Sequence, residues 1–77
     1  MIITLSEAIK IKKYTGYIID GEIYKDSEVR FSEEEKRTQM DVIESTDQDS
    51  FSANYGKKFY NVYGIVGGHR VMFSINK

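Results

Sequence analysis

Residues 32–44 run SEEEKRTQMDVIE, and whether they coil or extend decides the fold class of this chain. Ser32 followed three residues later by Glu35 has the form of a capping box. Glu33 and Glu34 fall where a helix dipole favours negative charge, and Glu33 can reach Lys36 and Arg37. Against this, only Met40 and Ile43 share a helical face, whereas Thr38, Met40 and Val42 alternate as a strand would. The start signals favour a helix from Glu33 to Glu44. That helix makes the expected fold α+β, a small antiparallel sheet of four to five strands with one principal helix across it; the alternative is an all-β small barrel.

The strands come from two hairpins on either side of this segment. Downstream, Phe59–Val66 and His69–Asn76 flank Gly67 and Gly68, a two-residue loop able to take the positive φ angles of a primed turn. The register then opposes Val66 to His69, Gly64 to Val71, Val62 to Phe73 and Tyr60 to Ile75, an apolar face that belongs in a core. The other face carries Phe59, Tyr63, Ile65 and Met72, too apolar for solvent. Upstream, Asp20-Gly21 is a preferred type I′ pair between Tyr17-Ile18-Ile19 and Glu22-Ile23-Tyr24. Ile18 opposes Ile23 on a side read as dry, and Tyr17 with Tyr24 and Ile19 with Glu22 lie on a side read as partly wet. Before it, Ser6 is read as the cap of a short helix to Lys13 with Leu5, Ala8, Ile9 and Lys12 on one face. Residues 45–58 are polar and read as a long loop.

Composition agrees with a sheet. Ile and Val abound, Leu occurs once, there are six Tyr, and Trp and Pro are absent. Seventy-seven residues make a single domain, spanning 1–77. Without cysteine there is no disulfide, and the lone His69 cannot complete a structural zinc site, so no metal or other cofactor is expected. The short Met1–Leu5 apolar run is no signal peptide and no stretch approaches the ~20 apolar residues of a membrane span. The expectation is a cytoplasmic protein that does not engage a membrane.

The charge is laid out unevenly. Residues 20–49 hold eleven carboxylates against four bases, while the remainder holds seven bases against Glu7 alone. The acidic stretch offers a docking face for a basic partner, with Glu33, Glu34, Asp41, Glu44 and Asp47 as its candidate residues. A second set interleaves bases with rings, as single-stranded nucleic acid or a nucleotide requires: Lys12, Lys13, Tyr17, Lys57, Lys58, Tyr60, His69 and Arg70. Gly67-Gly68-His69-Arg70 has the residues of an anion-binding turn, but a tight hairpin needs the glycines regardless of ligand. His69 has no partner at catalytic spacing, and no nucleophile elbow is present, so no catalytic residue is expected and the chain does not read as an enzyme.

The reading is a small non-enzymatic protein-interaction module, an inhibitor or adaptor of phage or mobile-element type. It is expected to self-associate, as a dimer, through the sheet face bearing Phe59, Tyr63, Ile65 and Met72, and to dock a protein partner through the acidic segment. The alternative is a nucleic-acid or nucleotide binder using the basic-aromatic set.

Overall fold

The structure, a computed structural model, describes residues 1–46, 56 and 58–76. Six strands form a single antiparallel open sheet: β1 (Ile2–Thr4), β2 (Tyr17–Ile19), β3 (Glu22–Tyr24), β4 (Gln39–Thr46), β5 (Lys58–Val66) and β6 (His69–Ile75), in the spatial order β1-β4-β5-β6-β2-β3. One short helix, α1 (Leu5–Lys10), and two 3-10 turns at Asp26–Glu28 and Glu35–Arg37 complete the described elements. The fold is therefore nearly all-β. The expected α+β arrangement with four to five strands is incorrect, and so is the barrel, because among the described residues β1 and β3 are the unpaired edges of an open sheet.

The correction turns on residues 32–44. The capping box does form: the Ser32 N–H donates to Glu35 Oε1 (2.8 Å) and the Glu35 N–H to Ser32 Oγ (3.1 Å). It starts a single 3-10 turn, after which the chain extends into β4. A helix here would have buried little more than Met40 and Ile43. The strand instead sets Val42 against Val62 and buries Met40 completely, while exchanging a full ladder of hydrogen bonds with β5 from Asp41 to Thr46. β1 follows from β4, since Ile2, Ile3 and Thr4 pair with Asp41, Met40 and Gln39. The helix before the first hairpin is shorter than expected and is capped by Thr4, whose Oγ1 accepts from the Glu7 N–H at 3.2 Å, not by Ser6. Of the expected loop, Ser45, Thr46 and Lys58 lie in strands, and 47–55 and 57 lie outside the described residues.

Both hairpin registers match their turn chemistry pair for pair. Gly67 and Gly68 have φ of 58° and 83°, and Asp20 and Gly21 have φ of 51° and 83°, as a type I′ turn demands. The sidedness of the upstream hairpin is reversed, however. β2 joins β6 with Ile18 beside Met72 and Ile19 beside Val71, so Tyr17 and Ile19 take the core parity and Ile18 and Ile23 face away.

The core lies on one face only. Leu5 and Ala8 of α1 pack with Tyr17, Met40, Val62, Val66, Val71, Phe73 and Ile75, all buried. Residues 25–38 carry the chain from β3 back to β4 across this same face, adding Val29 and Phe31. Tyr17 is the hub: its ring meets Phe31 and Phe73 edge-on at 5.4 and 5.3 Å, with the Lys12 ammonium 4.3 Å from its centroid.

Candidate interaction surface

Strand residues alternate between faces, so the registers alone list what the opposite face carries. A row of six residues crosses all six strands: Ile2, Asp41, Tyr63, Met72, Ile18 and Ile23. Flanking it are Ile65 beside Arg70 on one side and Ile43, Asn61 and Ser74 on the other, with Phe59 further along β5. No described element packs over this face. Four of its isoleucines are accordingly open, at 83% exposure for Ile23, 58% for Ile2, 54% for Ile65 and 48% for Ile43, and Ile18 is half-buried. Isolated exposed apolar side chains are ordinary, but a contiguous apolar band rimmed by polar groups marks an interface. A shallow groove of about 180 Å³ runs within it, bounded by Ile18, Gly21, Tyr63, Arg70 and Met72.

The four self-association candidates are brought together here. Phe59, Tyr63, Ile65 and Met72 share this face on neighbouring strands, Ile65 exposed and the other three half-buried. Ile2, Ile18, Ile23 and Ile43 belong with them and were missed. The signal for Ile43 was its alternation with Asp41 on a strand read as a helix; Ile2 depended on the same strand for its partner.

The acidic candidates are not brought together. Glu33 and Glu34 are exposed just before the second 3-10 turn, on the core side of the sheet, Glu33 with Lys36 at 3.4 Å. Asp41 is on the open face. Glu44 has the core-side parity and pairs with Lys58 at 3.0 Å, which raises the lysine's pKa. Asp47 lies outside the described residues.

The basic-aromatic set is scattered as well. Lys12 is almost enclosed. Its ammonium donates to the carbonyls of Tyr14 (2.9 Å) and Gly16 (3.2 Å) and pairs with Asp26, whose carboxylate also accepts the Gly16 N–H at 2.5 Å. The Lys12 ammonium and that N–H hold the Asp26 carboxyl below the usual carboxylate range. Lys13 lies over the Tyr14 and Phe59 rings, each 5.4 Å away. Tyr17 and Tyr60 face the core, burial pushing the Tyr17 phenol up in pKa. Lys57 is outside the described residues, and Lys58 is paired. His69 Nδ1 meets Asp20 Oδ2 at 2.7 Å, while Asp20 Oδ1 accepts the Arg70 N–H at 3.0 Å; these two bonds lower the Asp20 pKa, the histidine most. Arg70 is exposed on the open face.

Three contacts join the two charge blocks of the sequence. The Lys12–Asp26, Lys58–Glu44 and His69–Asp20 pairs each join a group from residues 20–49 to one outside them. Of the bases outside the acidic stretch, Lys12 and Lys58 are the ones so paired among the described residues, and an exposed pair is worth little.

Elsewhere, a cleft of about 220 Å³ lies on the core side between residues 28–35 and β6, lined by Ile19, Glu28, Arg30, Glu35, His69 and Val71 among others. It is smaller than the ~300 Å³ at which small-molecule sites begin. Among the described residues no group of three His, Cys, Asp or Glu side chains is placed to hold a metal ion, and no helix is long and apolar enough to cross a membrane. Comparison with known proteins finds no matching family, no matching curated protein and no matching solved structure.

Proposed function

We propose that this chain is a non-enzymatic, cytoplasmic protein-interaction module that self-associates through the open face of its sheet. The observation that carries the reading is the one-sided core. Among the described residues all nine buried apolar side chains lie on one side of the sheet or on the helix that covers it, yet the other side presents Ile2, Ile18, Ile23, Ile43, Tyr63, Ile65 and Met72 with no described element above them. A sheet with one solvated face ordinarily alternates apolar-in with polar-out, so apolar groups on both faces call for a second layer. The basic-aromatic surface gains no comparable support, because Lys12, Tyr17 and Tyr60 are engaged inside the chain.

The test is to place Lys at Ile65 and Met72 together and, separately, to reverse Glu33 and Glu34 to Lys. The first pair sits on the open face and should abolish self-association while leaving the circular dichroism spectrum intact. The second pair sits on the other side and should leave association unchanged. Equal effects of the two, or none from the first, would remove the open face from the account.

A further inference from the structure

The open face carries a self-complementary charge pattern. Its strand positions hold one acid, Asp41 on β4, and one base, Arg70 on β6, separated by β5 with Tyr63 and Ile65 between them. Among the described residues neither side chain has an ion pair, and Arg70 feels the Asp20 carboxylate without pairing with it. The other cation at the face, Lys13, is held over the rings of Tyr14 and Phe59 at its far end. In a two-fold dimer a contact from one residue to another is always returned, so one acid and one base offset from the axis produce two equal ion pairs.

We propose that the occupant of the open face is a second copy of this chain, packed face to face about a two-fold axis between Tyr63 and Ile65, with Asp41 of each copy paired to Arg70 of the other. This rests on the self-association reading above and adds its register. Tyr63 and Ile65 then meet their own counterparts near the axis. The groove between Tyr63 and Ile18, with Arg70 on its wall, receives apolar side chains from the facing sheet. At ~3.3 Å per residue and ~4.8 Å between strands, the six strands span on the order of 500 Å² of sheet plane, which makes this a small interface beside the ~800 Å² per partner of a standard one. Packing two inner faces about 10 Å apart yields a β-sandwich whose second core is the interface.

The experiment is trans-complementation by charge reversal, read by sedimentation equilibrium. Asp41→Arg alone places Arg against Arg twice in each dimer, and Arg70→Glu alone places carboxylate against carboxylate twice. Each single variant should dimerise on the order of tenfold more weakly than wild type or worse, since like charges juxtaposed at an interface are costly. An equimolar mixture of the two should dimerise within about threefold of wild type, because the heterodimer restores both ion pairs. The double variant should recover in the same way as a homodimer. A monomeric wild type would overturn the self-association reading itself. A dimeric wild type whose single variants bind as tightly, or whose weakened variants fail to recover on mixing, would overturn the Asp41–Arg70 register and leave the open-face dimer standing.

Discussion

Gly64 is where the sheet makes room for Met40, and the clearance between them predicts a specific coupling. A Cβ placed on Gly64 would stand 2.5 Å from the Met40 sulfur, 3.2 Å from its terminal methyl and 3.3 Å from the Gln39 carbonyl oxygen. Met40 is wholly buried, so its side chain can yield only by displacing its neighbours in the core. Overpacking of this kind costs ~1–3 kcal/mol, and replacing a strand glycine returns ~0.4–1 kcal/mol from the unfolded chain. Gly64→Ala should therefore destabilise by ~1–2 kcal/mol, at roughly 4–8 °C of melting temperature per kcal/mol in a domain of this size. Met40→Ala, which empties the site, should cost ~2–5 kcal/mol. In the Met40→Ala background the added methyl meets no sulfur and partly fills the void, so Gly64→Ala should there be neutral or stabilising. Urea denaturation of the four proteins closes the double-mutant cycle. A Gly64→Ala penalty equal in both backgrounds to within ~0.5 kcal/mol would refute the clash as its cause.

Acid should loosen the Lys12–Asp26 clasp. Because the folded Asp26 pKa is depressed, its stabilisation is complete above the unfolded value of about 3.9 and is lost as pH falls through the lower folded value. The wild-type melting temperature should consequently fall more steeply between pH 4 and 2 than that of Asp26→Asn, and parallel curves would contradict this. At the C-terminal turn, Gly68→Ala should cost more than Gly67→Ala. Both have positive φ, but the 58° of Gly67 is close to the 51° that Asp20 adopts at the same position of the other hairpin, and the Glu35 carboxylate tip near it can move aside, whereas the 83° of Gly68 matches that of Gly21, the glycine at the same position of the other hairpin; urea midpoints decide the order. Tyr17→Ala removes the ring shared by Phe31, Phe73 and Lys12 and should cost ~3–5 kcal/mol, visible as loss of the cooperative thermal transition or a shift of tens of degrees.

Local chemistry was legible in the sequence and long-range pairing was not. The two glycine-bearing turns fixed their hairpins because a two-residue loop leaves a single register, and each opposed pair follows. The capping box at Ser32–Glu35 was equally real, yet a cap states only where a turn begins. What extends residues 39–46 is the ladder from β5 and the Gly64 recess for Met40, neither of which lies within the segment. Misreading β4 also hid β1, which has no other strand to pair with. The reversal at Ile18 and Ile23 has the same origin: an isolated hairpin does not reveal which face its neighbour will adopt, and β6 imposes that through Val71 and Phe73. On the surface, the shared face of Phe59, Tyr63, Ile65 and Met72 was legible because they ride on the hairpin whose register was known. Sequence distance also hides the contacts that Lys12, Lys58 and His69 make with the acidic stretch.

A sheet face with no described element above it calls for a second layer, and the dimer proposed above supplies one from another copy of the chain. Sedimentation equilibrium of the wild-type chain over a wide concentration range tests this most directly. The expected mass climbs with concentration from the monomer's 8.9 kDa to a plateau at twice that value, with no further growth, as a closed two-fold interface requires. A mass fixed at that of the monomer up to millimolar concentration would contradict it.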